Sequence, residues 1–130
     1  MVEDLKRELQ TANKEGDQLV VGGDFNLDMR SVVLAEFANE LTLENVVFQQ
    51  HGMEGPNTHT RRTKQIDGFL VSRALTMTAS GYLSFNLAVT DHRTVWFNTT
   101  YQSIYGHLLP RILSRESRRL QIYDPRVVNR

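Results

Sequence analysis

The sequence contains no cysteine among its 130 residues, and it also lacks any long apolar run. Without cysteine the chain forms no disulfide framework and no thiolate zinc site. The longest purely apolar run is residues 32–35, whereas a membrane-spanning helix needs about 20 apolar residues. The first residues show neither the basic nor the apolar region of a secretory signal peptide. We therefore expect an intracellular protein with no membrane segment.

An excess charge of one sign is also missing, because 15 basic side chains balance 15 acidic ones. This balance gives no general attraction to nucleic acid or to acidic membranes. The charge is uneven, however, since six of the arginines fall within residues 111–130 beside only two acidic residues. Such a segment is typical either of a helix that follows a nucleic-acid backbone or of a solvated linker. We predict a domain over residues 1–100 and an arginine-rich tail or linker over residues 101–130.

Hydrophobic periodicity predicts a helix, a strand, a second helix and then several strands. Apolar residues at helical spacing indicate helices over residues 2–14 and 31–41, the second with Ser31 as its N-cap. Short β-branched and aromatic runs predict strands at residues 18–21, 58–60, 66–72, 82–85 and 94–97. This order favours an α/β (α+β) fold with a single core over a repeated βαβ unit.

A polar pair follows the first predicted strand. Asp24 and Asn26 come directly after Gly22 and Gly23, and they lie two residues apart. In an extended chain their side chains project from the same side. A carboxylate and an amide held together suit a hard cation such as Mg²⁺, or a phosphate oxygen or water. The same residues could instead form a polar turn that closes the strand, and the spacing alone does not decide between these interpretations.

A histidine and two carboxylates form the second candidate group. Asp91 and His92 precede an apolar strand, where the histidine could act as a general acid or base, or stabilise a phosphate. They could equally be a turn aspartate and a surface histidine. Asp67 lies within an otherwise apolar strand, where an unpaired buried carboxylate is unfavourable. It either orients His92, as triad carboxylates orient an imidazole, or faces solvent.

A basic segment follows His59. Arg61, Arg62 and Lys64 place three cations within four positions, which could contact a phosphate backbone. Alternatively, the run is a solvated strand edge whose charges discourage pairing with other strands.

Three motifs, read in order, point to one family. They are Gly-Gly-Asp-Phe-Asn at residues 22–26, Gln-Ile-Asp-Gly-Phe-Leu-Val-Ser at residues 65–72, preceded by Thr58 and His59, and Thr-Asp-His-Arg-Thr-Val at residues 90–95. Together they resemble the C-terminal half of the endonuclease/exonuclease/phosphatase superfamily, the DNase-I-like metal-dependent phosphoesterases. The resemblance covers about residues 1–100. It implies half of a four-layer α/β/β/α sandwich, with a mixed or antiparallel sheet and two helices on one face.

The resemblance also implies roles for the individual side chains. Asp24 and Asn26 match the family's pair that orients the attacking water and contacts phosphate and metal. His92 matches the histidine that contacts the scissile phosphate. Asp91 matches the aspartate just before that histidine, which contributes to the metal site or pairs with the histidine. Asp67 matches the carboxylate that supports this histidine. All five are therefore the expected catalytic residues of a metal-dependent phosphodiester hydrolase of the endonuclease type.

The expected cofactor and substrate follow from the same resemblance. We expect Mg²⁺, or Mn²⁺ in its place, to be held by Asp24, Asn26 and Asp91, and we expect DNA or another phosphodiester as the substrate. The expected phosphate contacts are made by Asn26, His92, His59 and Arg61.

Two positions depart from the family pattern. Thr90 stands where the family usually has serine, and it keeps the hydroxyl group. Gly68 stands where an aromatic residue or histidine is commoner, which leaves the local packing open.

Family members are roughly twice as long, and their N-terminal half supplies the principal metal-binding glutamate. No such motif precedes the first predicted helix, so we expect this chain alone to be a poor nuclease. The alternative is a non-catalytic remnant that binds metal or nucleic acid, or that self-associates through an exposed inner sheet face.

The C-terminal segment gives a further, shorter resemblance. Residues 118–128 resemble the segment after the endonuclease domain of eukaryotic non-LTR retroelement polyproteins. This origin implies a DNA-nicking ancestor and a nuclear location.

Overall fold

The computed structural model describes residues 2–107 of the chain. This part forms an α+β fold, which confirms the fold class predicted from the sequence. Its helices are α1 (Val2–Glu15), α2 (Val32–Glu40), α3 (Val46–His51) and α4 (Tyr101–Tyr105), and its strands are β1 (Val20–Asp24), β2 (Leu43–Asn45), β3 (Asp67–Ser72), β4 (Met77–Tyr82) and β5 (Val95–Thr99). Within the described residues, every helix is too short or too polar to cross a membrane.

The strands form two antiparallel sheets. The first has three strands in the order β1-β3-β2, and the second is the two-stranded ribbon β4-β5. The register of β1 against β3 runs from the pair Val20 and Val71 to the pair Asp24 and Asp67. The central strand β3 therefore brings the carboxylate that ends β1 opposite the carboxylate with which β3 begins.

Helices α1 and α2 cover one face of the three-stranded sheet, as the sequence predicted. Leu70 of β3 and Leu43 of β2 point into a core formed with Leu34 of α2, and Leu9 of α1 packs against it. Fully burying one such side chain contributes about 1.5–3 kcal/mol. This apolar layer is what fixes the position and register of β3.

The opposite face is covered only in part. Val71 joins a second core with Val46 and Val47 of α3, against which Phe69 and Phe97 pack. The rings of Phe69 and Phe97 lie 4.8 Å apart, so the β4-β5 ribbon contacts β3 at this point. Val20 on the same face of β1 remains 51% exposed.

Two glycines allow close packing beside the strand ends. A Cβ atom on Gly22 would come within 2.5 Å of the Phe69 ring, and one on Gly68 would come within 2.5 Å of Met29 Cε. The space that an aromatic residue would take at position 68 is thus filled by the Met29 side chain. A larger residue at position 68 would therefore have to displace Met29.

Several element boundaries differ from the predicted ones. Residues 58–60 form only an isolated bridge between His59 and His92, because the Asn57 amide donates to the carbonyls of His59 and Arg62 and shapes a turn there. The strand predicted at residues 82–85 lies earlier, at β4, since a short 3₁₀ turn follows at Phe85–Leu87.

The predicted domain boundary falls at the start of α4. Thr100 is the N-cap of this helix and accepts a hydrogen bond from the backbone of Ser103. Of the arginine-rich tail predicted over residues 101–130, residues 108–130 lie outside the described residues.

Candidate functional site

The site begins where two paired strands end. Asp24 closes β1, and its cross-strand partner Asp67 opens β3 on the face opposite α1 and α2. The N–H of Phe25 donates to the carbonyl of Ile66 at 2.8 Å, which continues the pairing beyond the strands. Like charges opposite each other in a sheet are destabilising unless a neighbour compensates them. The compensating group here is His92.

Asp67 holds His92 through both carboxylate oxygens. His92 Nδ1 lies 3.0 Å from Oδ2 and 3.1 Å from Oδ1 of Asp67, so the ring donates a hydrogen bond from Nδ1–H to the carboxylate. This hydrogen bond is the largest cause of a raised pKa of His92; burial opposes it, and the charges of Asp67, Asp24 and Asp91 add to it. Because Nδ1 is engaged, Nε2 is the ring nitrogen that a substrate can contact.

Thr58 fixes the backbone at the start of β3. This residue is completely buried, and its Oγ1 accepts hydrogen bonds from the backbone N–H groups of Ile66 (2.9 Å) and Asp67 (3.0 Å). A buried hydroxyl with two such partners holds the strand end rigidly. The sequence did not assign Thr58 a role, because nothing in its neighbourhood shows that it reaches residues eight and nine positions away.

Backbone hydrogen bonds join the segment around His59 to the segment around His92. The N–H of Thr60 donates to the carbonyl of Asp91 at 3.0 Å, and the N–H of Arg93 donates to the carbonyl of Thr58 at 2.7 Å. Thr90 Oγ1 accepts the N–H of His92 at 3.1 Å. The Thr90 hydroxyl therefore shapes the turn that presents His92.

His59 and Asp91 form a second contact next to the first. The backbone N–H of Arg61 donates to His59 Nδ1 at 3.0 Å, so Nδ1 is unprotonated and the ring proton is on Nε2. That Nε2 lies 3.2 Å from Asp91 Oδ2. The His59 and His92 rings meet edge to face at 4.7 Å and 89°. The two histidines therefore carry their protons on different nitrogens.

Asn26 acts on Asp24 through its backbone. It has a positive φ of 52°, a left-handed conformation that asparagine tolerates better than most residues. Its N–H donates to Asp24 Oδ1 at 2.8 Å, which orients the carboxylate. Both side chains are exposed to solvent.

Arg61 and Arg93, which follow His59 and His92 closely in the sequence, take different positions. Arg61 is exposed and lines an open hollow of about 490 Å³ with Asn57 and Arg62. Arg93 lines a cavity of about 260 Å³ together with Asp67. Its guanidinium donates to the carbonyls of Asn57 and Leu83 and lies 4.1 Å from the Phe85 ring centre. Arg93 was part of a recognised motif, but its anchoring depends on distant backbone groups that the sequence does not reveal.

The carboxylates at the strand ends fit a hard cation better than the paired histidines do. Within residues 2–107, two groups of three such residues have ligand atoms within 4.8 Å of one another: Asp24, Asp67 and His92, and His59, Asp91 and His92. Mg²⁺ binds through one or two carboxylates and keeps several waters, which the exposed Asp24 carboxylate allows. In the second group, the proton on His59 Nε2 makes this nitrogen a donor and not a metal ligand. The expected ligands Asp24 and Asp91 therefore belong to different groups.

Contacts at the ends of β1 and β3 thus connect most of the expected site residues. Asp24 and Asp67 face each other across β1 and β3, His92 binds Asp67, and His59 contacts Asp91. Arg61 contributes its backbone N–H, whereas its side chain lies in the neighbouring hollow. The chain matches no protein-family model, no curated protein and no solved structure.

Proposed function

We propose that this chain is a metal-dependent phosphodiesterase of the endonuclease/exonuclease/phosphatase type that nicks DNA, with its site at the ends of β1 and β3. The observation that carries the proposal is the Asp67–His92 pair beside Asp24. A carboxylate-held imidazole can stabilise a phosphate group, and a neighbouring carboxylate suits a hard cation. Three separate sequence motifs supply these side chains, which further supports the proposal.

In the proposed reaction, His92 holds a proton at Nε2 against a phosphate oxygen. Asp67 accepts a hydrogen bond from Nδ1–H and so stabilises the imidazolium. The raised pKa of His92 increases the fraction of protonated ring near neutral pH. Water forms the new P–O bond and loses a proton as the ester P–O bond breaks, and the leaving oxygen takes up a proton. The Nε2–H group stabilises the negative charge on the phosphate oxygens during this step.

Mg²⁺ or Mn²⁺ would be held mainly by Asp24 in this proposal. A bound divalent cation supplies positive charge that stabilises the phosphate in the transition state. The Asn26 N–H orients the Asp24 carboxylate, and its side-chain amide is two residues away on the same turn. Asp91, the third expected ligand, contacts His59 and is 55% exposed at its side chain.

We also propose that the activity is low and needs a high metal concentration. Among residues 2–107, neither candidate ligand group contains a glutamate, and each has only one or two carboxylates. Fewer charged ligands bind a divalent cation more weakly. Nicking is therefore expected to rise steadily with Mg²⁺ through the millimolar range, and saturation at micromolar Mg²⁺ would contradict this expectation.

The test is nicking of supercoiled plasmid by the purified chain, with Mg²⁺ and with EDTA. We expect His92→Ala to lower the Mg²⁺-dependent rate by about 100-fold, because the N–H that stabilises the phosphate is lost. Asp17→Asn is the matched control, since this exposed carboxylate lies before β1, at the opposite end from Asp24. Nicking that EDTA leaves intact, or that His92→Ala retains, would contradict the proposed function.

A second candidate function is self-association without catalysis. The observation that favours it is Val20, which is 51% exposed on the sheet face that the β4-β5 ribbon leaves partly open. An exposed apolar sheet face favours pairing with a second copy. Sedimentation velocity should then show a dimer that Val20→Lys dissociates and that the control Val32→Lys, on the exposed side of α2, leaves intact. A wild-type monomer at all concentrations would exclude this candidate.

A further inference from the structure

His59 is held in one tautomer by the backbone of its own turn. A backbone N–H only donates, so the hydrogen bond from Arg61 to His59 Nδ1 requires that Nδ1 carry a lone pair. The remaining ring proton then sits on Nε2, 3.2 Å from Asp91 Oδ2. The His59 side chain is largely buried, whereas the Asp91 side chain is 55% exposed.

The same short segment also holds the Asp91 backbone. Thr60, the residue after His59, donates its N–H to the Asp91 carbonyl, and His59 and His92 form a bridge between the two segments. Asp91 is therefore held at both its carbonyl and its carboxylate by adjacent residues. An aspartate that is half exposed on a turn would otherwise be free to rotate towards water.

We propose that His59 is a positioning residue whose Nε2–H holds the Asp91 carboxylate beside the His92 ring. Asp67 orients the ring of His92 through Nδ1, whereas the ring of His59 orients Asp91 through Nε2. One histidine is therefore held by an aspartate, and the other holds one. The catalytic consequence of this arrangement rests on the proposed phosphodiesterase function. The tautomer and the position of Asp91 do not, and they can be measured separately.

The first test is the ¹⁵N spectrum of the imidazole nitrogens in the wild-type chain. We expect His59 to show a protonated Nε2 and an unprotonated Nδ1, and neutral His92 to show the reverse. Imidazole tautomers are assigned directly by this measurement, independently of activity. A His59 ring protonated on Nδ1, or averaging between the two tautomers, would overturn the proposal.

The second test compares His59→Gln with His59→Asn. The glutamine amide reaches about as far as Nε2 and can donate to Asp91, whereas the asparagine amide reaches only about as far as Nδ1. We expect His59→Asn to lower the nicking kcat about tenfold with an unchanged KM, and His59→Gln to stay within about threefold of wild type. Equal effects of the two substitutions, with both variants folded, would overturn the proposal.

If the wild-type chain does not nick DNA, the proposed function fails and the His59 proposal is judged on structure alone. The readout is then the carboxyl ¹³C chemical shift of Asp91 in the same two variants. We expect this shift to change in His59→Asn and to be preserved in His59→Gln. A shift that responds equally to both substitutions, or to neither, would overturn the proposal.

Discussion

On one face of β3, Leu70 is fully buried beneath α1 and α2, whereas on the other face Asp67 meets His92 near solvent. The first face is apolar and closely packed. The second combines a partly covered apolar patch with two opposed carboxylates. The strand thus packs against a core on both faces, and it carries the candidate site on the face where the core is smaller. We expect substitutions on the two faces to separate stability from activity.

The largest effect on stability is expected from Leu70→Ala on the helix-covered face. Leu70 is 0% exposed, and truncating a buried leucine destabilises by about 2–5 kcal/mol through lost burial and a residual cavity. Urea unfolding measures the difference. Val32→Ala, at a position 71% exposed, is the control and should change the free energy of unfolding by less than about 0.5 kcal/mol. A small change in the free energy of unfolding for Leu70→Ala would mean that burial on this face does not stabilise the fold.

An intermediate effect is expected from Gly22→Ala, which tests the closeness of packing on the site face. The added Cβ would meet the Phe69 ring at 2.5 Å, so the ring must shift at a cost of about 1–3 kcal/mol. Thermal or urea unfolding measures the loss, and Phe69→Leu in the same chain should restore part of it. Full stability of the single variant would show that this face is loosely packed.

A smaller loss is expected from Ser31→Ala at the start of α2. Ser31 Oγ accepts the N–H of Leu34 at 3.3 Å, and losing such a cap costs about 1 kcal/mol. Ser31→Asp is the matched variant, because its carboxylate can accept the same hydrogen bond and should keep the stability near wild type. Equal stabilities for the alanine and aspartate variants would contradict a capping role.

The smallest expected effect is a pH dependence on the site face. The pKa of His92 is raised in the fold by its hydrogen bond to Asp67, above an unfolded value of about 6.5. The stabilisation from this pair is complete below the unfolded pKa and is lost as pH rises through the folded pKa. At mildly acidic pH the free energy of unfolding of the wild type should therefore exceed that of Asp67→Asn. This difference should be lost as the pH rises to alkaline values. A difference that does not vary with pH would exclude this coupling.

Elements with a regular apolar pattern could be predicted from the sequence. Helices α1 and α2 lie where periodicity indicated them, and Ser31 is the N-cap. By contrast, β2 and α3 were missed, because they are short and share Asn45 as the last strand residue and the helix N-cap. Elements of this length are decided by tertiary packing more than by local pattern.

Only the parts of the site that lie within the three sequence motifs could be predicted. The apolar neighbours of Asp67 left open whether it orients His92 or faces solvent, and the family resemblance implied the first. The two side chains are hydrogen bonded in the structure. Thr58 and Arg93 were not assigned roles because each acts on backbone groups far along the chain. The pairing of His59 with Asp91 depends on the two segments meeting side by side, which no local pattern indicates.

The most direct test of the central claim is the Mg²⁺-dependent nicking rate of Asp67→Asn beside wild type and Leu70→Ala. At a temperature where all three chains are folded, the account predicts that Asp67→Asn loses at least about tenfold in rate, because His92 loses its carboxylate. Leu70→Ala, although less stable, should keep most of its activity. Unchanged nicking by Asp67→Asn would contradict the assignment of the candidate site to this face of β3.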